Sequence, residues 1–153
     1  EHFLDSALMG DRQNVQTQVR QSKLLYLEEF PEFKTWFQSF LLAKLPAALQ
    51  QLHHPEFTAS GMEMQLTVHG DGCYYGIHPD TTFTKVAKIA RREITFVYYF
   101  CLEPGGFSGG ELRIYPTQIC DRQGFTSADF KVIEPLNNSL IFFNSRCYHE
   151  VMP

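Results

Sequence analysis

A chain of 153 residues fits one domain and can bury a single substantial core. Its net charge of −4 gives no basic surface for nucleic acid or for an anionic membrane, so neither partner is expected. Aromatic residues make up 14% of the chain, with phenylalanine the most frequent, and such a composition favours β structure.

The four cysteines are scattered and form no C-x-x-C pair; they are Cys73, Cys101, Cys120 and Cys147. This pattern predicts free thiols in a reducing compartment rather than a disulfide framework. No apolar run is long enough to cross a membrane, and the cytoplasm is the expected location. The chain begins with Glu1, so a longer gene product and a removed leader both stay open.

The N-terminal part of the chain favours helical structure. Residues Glu1 to Gln21 are polar and are interpreted as a helix followed by a linker, and Lys23 to Leu27 as a short strand. Pro31 then suits the first position of a helix, where an N–H is not needed. Apolar residues recur from there at three- and four-residue spacing: Phe33, Trp36, Phe37, Phe40, Leu41, Leu45, Leu49 and Leu52. This spacing predicts an amphipathic helix whose aromatic stripe packs against a sheet.

Two features bear on how this helix continues and ends. Pro46 lies inside the pattern and marks a potential kink, because proline removes one helical hydrogen bond. The run His53-His54-Pro55 is expected to end the helix. Adjacent side chains point in different directions, so His53 and His54 are interpreted as solvated loop residues and not as ligands.

The rest of the chain reads as a series of strands. Met62 to Val68 alternates apolar and polar residues, which predicts a strand with one buried face, and Cys73 to His78 follows after a Gly70–Gly72 turn. Further strands are predicted at Ile94–Leu102 (covered on both faces), Glu111–Tyr115, Phe130–Ile133 and Ser139–Phe143, with a loop over residues 117–129. Many short strands after a helix predict a mainly β protein, a jelly-roll sandwich with N-terminal helical support.

A histidine and a carboxylate two residues apart, His78 and Asp80, end one of these strands. Residues i and i+2 of a strand face the same side, so both can reach one ion. His149 supplies a third donor near the end of the chain. Two histidines and one carboxylate make the facial triad of non-heme Fe(II) oxygenases. The alternative is that H-x-D arose by chance and that the histidines are structural.

The ordered set of motifs resembles the 2-oxoglutarate and Fe(II)-dependent oxygenases, whose fold is the double-stranded β-helix, and within them the prolyl hydroxylase group. The four matching stretches are Tyr75–Asp80, Arg92–Tyr99, Gly109–Pro116, and Ile133–Pro135 through His149–Pro153. They occur in the family's order over about residues 62 to 153. The resemblance therefore predicts one oxygenase domain over residues 1–153, with helical support in 1–61 and the jelly-roll core in 62–153.

The resemblance also implies site residues and cofactors. The family's metal ligands fall on His78, Asp80 and His149, its tyrosine bonded to 2-oxoglutarate on Tyr99, and an arginine near the substrate entrance on Arg92. Fe(II), 2-oxoglutarate and O₂ are implied as cofactor and co-substrates, with ascorbate as a further candidate. Two positions depart from the family pattern. His69 stands where a tyrosine or another polar residue is usual, and the basic partner of the 2-oxoglutarate tail is expected on final strands beyond Pro153.

The implied reaction is hydroxylation of a C–H bond, with a prolyl residue of a protein or peptide as the expected substrate. The polar segment Thr81–Ala90 directly follows two of the proposed ligands, and loops in such positions often carry binding function. Two alternatives stay open: a hydroxylase of the same fold that acts on a free amino acid or another small molecule, and a non-catalytic metal-binding module.

Overall fold

The structure, a computed structural model, describes residues 3–5, 19–81, 92–101, 106–116 and 129–153. Along these ranges the strands are β1 (Leu4–Asp5), β2 (Arg20–Gln21), β3 (Lys23–Tyr26), β4 (Gln65–Val68), β5 (Tyr74–His78), β6 (Ile94–Tyr99), β7 (Leu112–Ile114), β8 (Lys131–Ile133), β9 (Ser139–Asn144) and β10 (His149–Val151). A 3₁₀ turn over Leu27–Glu29 leads into helix α1, Pro31–Gln51. Residues 82–90 of the predicted substrate loop, most of the loop 117–129, and Cys120 lie outside the described residues.

Helix α1 begins at Pro31, as its sequence predicts, and continues through Pro46 to Gln51. Leu52 caps it by donating its N–H to the carbonyl of Ala48 at 2.9 Å. The helix is 21 residues long, yet no helix in the described part of the chain is apolar enough over a sufficient length to span a membrane. Its buried side chains, Phe37, Leu41 and Leu49, mark the face that the sequence pattern assigns to the core.

The strands form antiparallel sheets. Five of them make the larger sheet, in the order β2-β5-β10-β7-β8. Strands β6 and β9 pair over their whole length, from Ile94 opposite Asn144 to Tyr99 opposite Ser139. Strands β1, β3 and β4 form a third sheet. The predicted mainly β, jelly-roll architecture is confirmed by this arrangement.

The core forms where α1 packs on one face of β6 and β9. Its buried centre is Leu27, Phe37, Leu41 and Met64, and the side chains packed against it include Phe96 and Tyr98 of β6 and Leu140 and Phe142 of β9. Phe37 contacts Phe96 edge to face, with ring centroids 6.2 Å apart. Because side chains alternate across a strand, the residues between these, such as Thr95 and Phe143, face away from the helix. That second face carries the residues beside the candidate site.

Several expectations for the N-terminal third are wrong. Leu4–Asp5 and Arg20–Gln21, which were expected in a helix and linker, are strands, and β2 extends the larger sheet beyond β5. A polar strand of two residues has no hydrophobic periodicity from which it could be predicted. It is a strand only because its backbone hydrogen-bonds to a neighbouring strand. His54 is not solvated, since its side chain is 13% exposed and its Nε2 lies 3.7 Å from Glu93 Oε2.

The aromatic stripe on α1 is only partly core. Phe37 is buried, but Trp36 is 62% exposed and Phe33 is 45% exposed. The strand predicted from Met62 begins at Gln65. Its alternation holds nevertheless: Met62, Met64 and Leu66 all pack into the core, whereas Val68 is 48% exposed.

Candidate metal centre

The pairing of β5 with β10 brings the two histidines together. His78 is the last residue of β5 and lies directly opposite His149, the first residue of β10. Their ring centroids are 4.3 Å apart. Pro79 ends β5, since it has no N–H for the ladder, and Asp80 follows just beyond the end of the strand. The sequence places the ligands on strand ends, and the register between the strands makes them neighbours.

The three donor side chains converge on one point. His78 Nε2 lies 3.8 Å from Asp80 Oδ1, and His149 Nε2 lies 3.7 Å from Asp80 Oδ2. One ligand atom from each of the three residues falls within 4.8 Å of the other two. Among the described residues, this is the cluster of His, Cys, Asp and Glu side chains that could hold a metal ion.

Each histidine is held through its other ring nitrogen. His78 Nδ1 lies 2.7 Å from the carbonyl oxygen of Gly76, and His149 Nδ1 lies 3.0 Å from that of Cys147. A carbonyl only accepts, so each Nδ1 carries the proton and donates it. This tautomer leaves the Nε2 lone pair of both rings free toward Asp80. Outer hydrogen bonds of this kind orient metal-ligating histidines.

The His78 imidazole is neutral near physiological pH. Burial is the largest cause, followed by repulsion from His149, and together they lower the pKa of His78 to about 4. The 3.8 Å approach to Asp80 Oδ1 is therefore not a salt bridge at neutral pH. A neutral imidazole is the form that a transition metal requires.

Asp80 is fixed by a chain of hydroxyl groups on β6 and the β9–β10 turn. Thr95 Oγ1 donates to Asp80 Oδ2 at 2.6 Å, and the Thr95 and Ser145 hydroxyls are 2.9 Å apart. Because Thr95 gives its one proton to the carboxylate, Ser145 donates to Thr95. Ser145 is fully buried, and its carbonyl accepts the N–H of Asp80 at 3.0 Å. The carboxylate is thus oriented before any ion arrives.

Arg92 also contacts the ligand segment. Its Nη1 donates to the backbone carbonyl of Asp80 at 3.1 Å, and its Nη2 makes a short ion pair with Glu63 Oε2. The Arg92 side chain is 29% exposed, so it is partly buried between the two partners. The structure places it beside the candidate metal centre, where it supports the ligand-bearing backbone.

Tyr99 lies farther along β6 on the same strand face as Thr95, since the two are separated by an even number of residues. The separation of four residues corresponds to roughly 13 Å along a strand. Burial raises the pKa of its phenol to about 12, so the group is a neutral hydrogen-bond donor. His69, the departure from the family pattern, has a buried Nδ1 without a hydrogen-bond partner among the described residues, and burial lowers its pKa.

Sequence reasoning missed several side chains around the triad. Tyr75 stacks on His78 with ring centroids 3.6 Å apart, and Phe143 meets His149 edge to face at 4.8 Å. Arg20 lies over the Tyr75 ring, and Thr95 and Ser145 hold Asp80. The family motifs contain Tyr75 and Thr95, so they could have been found there. Arg20 and Ser145 give no pattern that separates them from surface residues.

The donor set fits a divalent transition ion. Two imidazole nitrogens and one carboxylate on one side suit non-heme Fe(II) and leave further coordination positions open. The described residues near the three donors provide no fourth His, Cys, Asp or Glu ligand. The arrangement is consistent with a catalytic rather than a closed structural centre.

Three comparisons bear on the identity of the fold and the family. The family model described as the 2OG-Fe(II) oxygenase superfamily matches residues 64–153. An uncharacterised PKHD-type hydroxylase from Synechocystis is 47% identical over 135 residues, which is 88% of this chain and 44% of the relative. The chain therefore spans less than half the length of this curated relative.

Two solved structures share the fold. A prolyl-4-hydroxylase from Pseudomonas putida superposes with a TM-score of 0.64 at 20% identity, covering 99% of this chain and 70% of the other. A prolyl hydroxylase from Trichoplax adhaerens, in complex with a peptide fragment of the hypoxia inducible factor oxygen degradation domain, gives 0.70 at 22% identity, covering 99% and 64%. At 20% and 22% sequence identity, the similarity to these two structures shows a shared fold and nothing about activity.

Proposed function

Because the chain belongs to the 2OG-Fe(II) oxygenase superfamily, we propose that it is the catalytic core of a hydroxylase that uses Fe(II), 2-oxoglutarate and O₂. The observation that carries this proposal is the convergence of His78, Asp80 and His149, with both imidazoles fixed in the tautomer that presents Nε2. In the overall reaction, 2-oxoglutarate, O₂ and a C–H bond give succinate, CO₂ and a hydroxyl group. Bound iron would supply the activation of oxygen, and the protein would supply orientation and shielding.

Each named residue has a role in this proposal. His78, Asp80 and His149 hold the ion, and Thr95 and Ser145 keep the Asp80 carboxylate in place. Tyr99 donates its phenolic hydrogen to the tail of 2-oxoglutarate, and its raised pKa of about 12 keeps that hydrogen on the oxygen. Arg92 contacts the Asp80 backbone, and in this proposal its guanidinium holds a peptide carbonyl near the substrate entrance. Ascorbate remains a further candidate cofactor.

We propose a prolyl residue in a protein or peptide as the substrate. The support is the resemblance to the prolyl hydroxylase group and the shared fold with two prolyl hydroxylases, one of them solved with a peptide. The single oxygenase domain over residues 1–153, with its core in 62–153, belongs to the same proposal. The cytoplasm, the default location for this sequence, stays a prediction.

The first experiment tests metal binding by the triad. Asp80→Ala and His149→Ala should each lose the ion that the parent protein retains, as measured by elemental analysis after dialysis. His54→Ala is the matched control, because His54 pairs with Glu93 and is not one of the three donors, and it should retain the metal. Full metal content in both triad variants would refute this centre.

The second experiment tests the substrate class. The complete gene product is incubated with Fe(II), 2-oxoglutarate and either proline-containing peptides or free amino acids, and the products are analysed by mass spectrometry. The proposal expects a gain of one oxygen on a prolyl residue, with succinate formed alongside. Oxidation of a free amino acid alone would favour the small-molecule alternative. Metal binding without any succinate would favour the non-catalytic alternative.

A further inference from the structure

Arg20 is a buried cation on strand β2, outside every motif that suggests the metal centre. It is 6% exposed, and its Cα pairs with that of Tyr75 on β5. Its Nε donates to Ser22 Oγ at 2.9 Å, and its Nη2 donates to Thr67 Oγ1 at 3.4 Å. Within the described part of the chain, no carboxylate lies at ion-pair distance from it. A buried arginine with neutral partners needs another explanation for its position.

The guanidinium lies over an aromatic ring that contacts a metal ligand. Arg20 Cζ is 4.5 Å from the centroid of the Tyr75 ring, which is a cation–π geometry. The same ring stacks on the His78 imidazole at 3.6 Å, with 21° between the planes. A stacked imidazole fills one face of a phenol ring, so the guanidinium occupies the other. Arg20, Tyr75 and His78 therefore form a stack that ends on the metal ligand.

The backbone beside Arg20 supports the same histidine by a second route. The carbonyl of Val19 accepts the N–H of Gly76 at 2.7 Å, and the carbonyl of Gly76 accepts His78 Nδ1 at 2.7 Å. A Cβ on Gly76 would lie 3.2 Å from the Val19 oxygen, so the two chains approach closely there. The hydrogen bond fixes one edge of the imidazole, and the stack fixes its plane.

We propose that Arg20 is a positioning residue for the metal centre: it holds Tyr75 against His78, so that His78 Nε2 points to the ion position before the ion binds. The inference rests on the proposed function, since it takes His78 to be a metal ligand. It adds that a strand outside the ligand-bearing sequence, β2, sets the geometry of the site. Removal of the guanidinium should loosen the His78 ring without changing the ligand set.

The test measures Co(II) binding, which reports coordination without turnover. Arg20→Gln should weaken Co(II) binding about 10- to 100-fold, the range expected for loss of an outer contact to a ligand, and should broaden the visible absorption bands of bound Co(II). Arg20→Lys, which keeps a cation over the ring, should recover much of the affinity. Tyr75→Phe keeps the ring on His78 but loses the phenol oxygen that interacts with Arg20, so it should bind Co(II) more tightly than Tyr75→Leu, which should resemble Arg20→Gln. The double variant Arg20→Gln/Tyr75→Leu should be no weaker than either single variant.

A second readout uses the metal-free protein. Long-range ¹H–¹⁵N correlations of the histidine rings should show His78 as a single Nδ1–H tautomer in the parent and as a tautomer mixture in Arg20→Gln. Arg113→Gln is the matched control, since Arg113 lies 4.9 Å from the centroid of Phe130 on the same sheet and contacts no ligand ring. It should leave both the Co(II) affinity and the His78 signals unchanged.

The outcomes separate this inference from the proposed function. If Asp80→Ala binds Co(II) as tightly as the parent, the metal centre itself is wrong. If Asp80→Ala loses Co(II) while folded Arg20→Gln keeps parental affinity and tautomer, Arg20 has no positioning role. If Arg20→Gln does not fold, the two Tyr75 variants test the inference instead. Equal Co(II) affinity in Tyr75→Phe and Tyr75→Leu would show that the stacked ring does not position His78.

Discussion

The hydroxyl of Thr95 provides the sharpest test of how the Asp80 carboxylate is held. Thr95→Val preserves the shape and β-branching of the side chain and removes only the donor. The bond it removes is short, 2.6 Å from Thr95 Oγ1 to Asp80 Oδ2, and its acceptor is charged. Such a bond contributes about 1.5–3 kcal/mol. The Asp80 side chain is 22% exposed, so solvent screening favours the lower part of that range.

Loss of the Thr95–Asp80 hydrogen bond should change two measurable quantities. The metal dissociation constant should rise about tenfold or more, because 1.4 kcal/mol corresponds to a factor of ten and outer contacts to ligands are typically worth 10- to 100-fold. The free energy of unfolding of the metal-free protein should fall by about 2–3 kcal/mol, because the lost Thr95 bond and the buried Ser145 hydroxyl left without its acceptor both contribute. Co(II) titration and urea unfolding measure these quantities.

Two further variants decide whether the reasoning about Thr95 is correct. Thr95→Ser keeps the hydroxyl and should bind Co(II) within a few-fold of the parent. In Thr95→Val/Ser145→Ala, the Ser145 hydroxyl is no longer left without a partner, so part of the lost stability should return while the metal affinity stays low. An unchanged Co(II) dissociation constant in a folded Thr95→Val protein would show that the hydroxyl chain does not orient Asp80.

Three other predictions follow from Tyr99 and Gly109. Tyr99→Phe should raise KM for 2-oxoglutarate about tenfold or more, because it loses one hydrogen bond to a charged group. Tyr98 lies on the opposite strand face, so Tyr98→Phe should leave this KM unchanged. Equal KM values for the two variants would make Tyr99 a core aromatic. Because the pKa of Tyr99 is about 12 in the folded protein and 10 unfolded, the unfolded state loses the proton first, and stability should decline as pH rises from 10 to 12. Urea unfolding at several pH values should show a shallower decline for Tyr99→Phe, and parallel curves would contradict the assignment. Gly109→Ala should lower the free energy of unfolding by at least about 1 kcal/mol, because Gly109 has φ +82° and a Cβ there would strike the Pro153 backbone. Gly61→Ala should be neutral in the same unfolding assay, because no atom lies within 4 Å of a Cβ at Gly61.

The strands that the sequence predicts are those with strong apolar patterns. The runs at Ile94 and Ser139 appear as β6 and β9, each shorter or longer by a few residues at its end. Hydrophobic alternation marks which residues face a core, and this information is local. The strand β2 could not be predicted, because Arg20–Gln21 is short and polar and is a strand only through its pairing with Tyr74 and Tyr75.

The candidate ligands were predictable, but their supports were not. H-x-D, the distant His149 and the family resemblance identify three residues that the structure brings within 4.8 Å. Their neighbours depend on register between strands that are far apart in the sequence. Ser145 is an example: a serine in a turn is expected at the surface, yet Ser145 is fully buried against Thr95. His54 is similar: its partner Glu93 can be known only after the fold.

The pairing of His78 with His149 has a consequence for how the protein acquires its ion during biosynthesis. The first two donors emerge from the ribosome well before the third, and contacts such as Thr95 to Ser145 span 50 residues of sequence. Pairings of this range form late in folding. A nascent chain that has not reached β10 offers two donors at most, so it holds an ion only weakly. On the proposed ligand set, a metal would therefore be selected by a finished, geometrically constrained site, and not by the exposed side chains of an unfolded chain, which would favour the copper and zinc ions that bind most tightly.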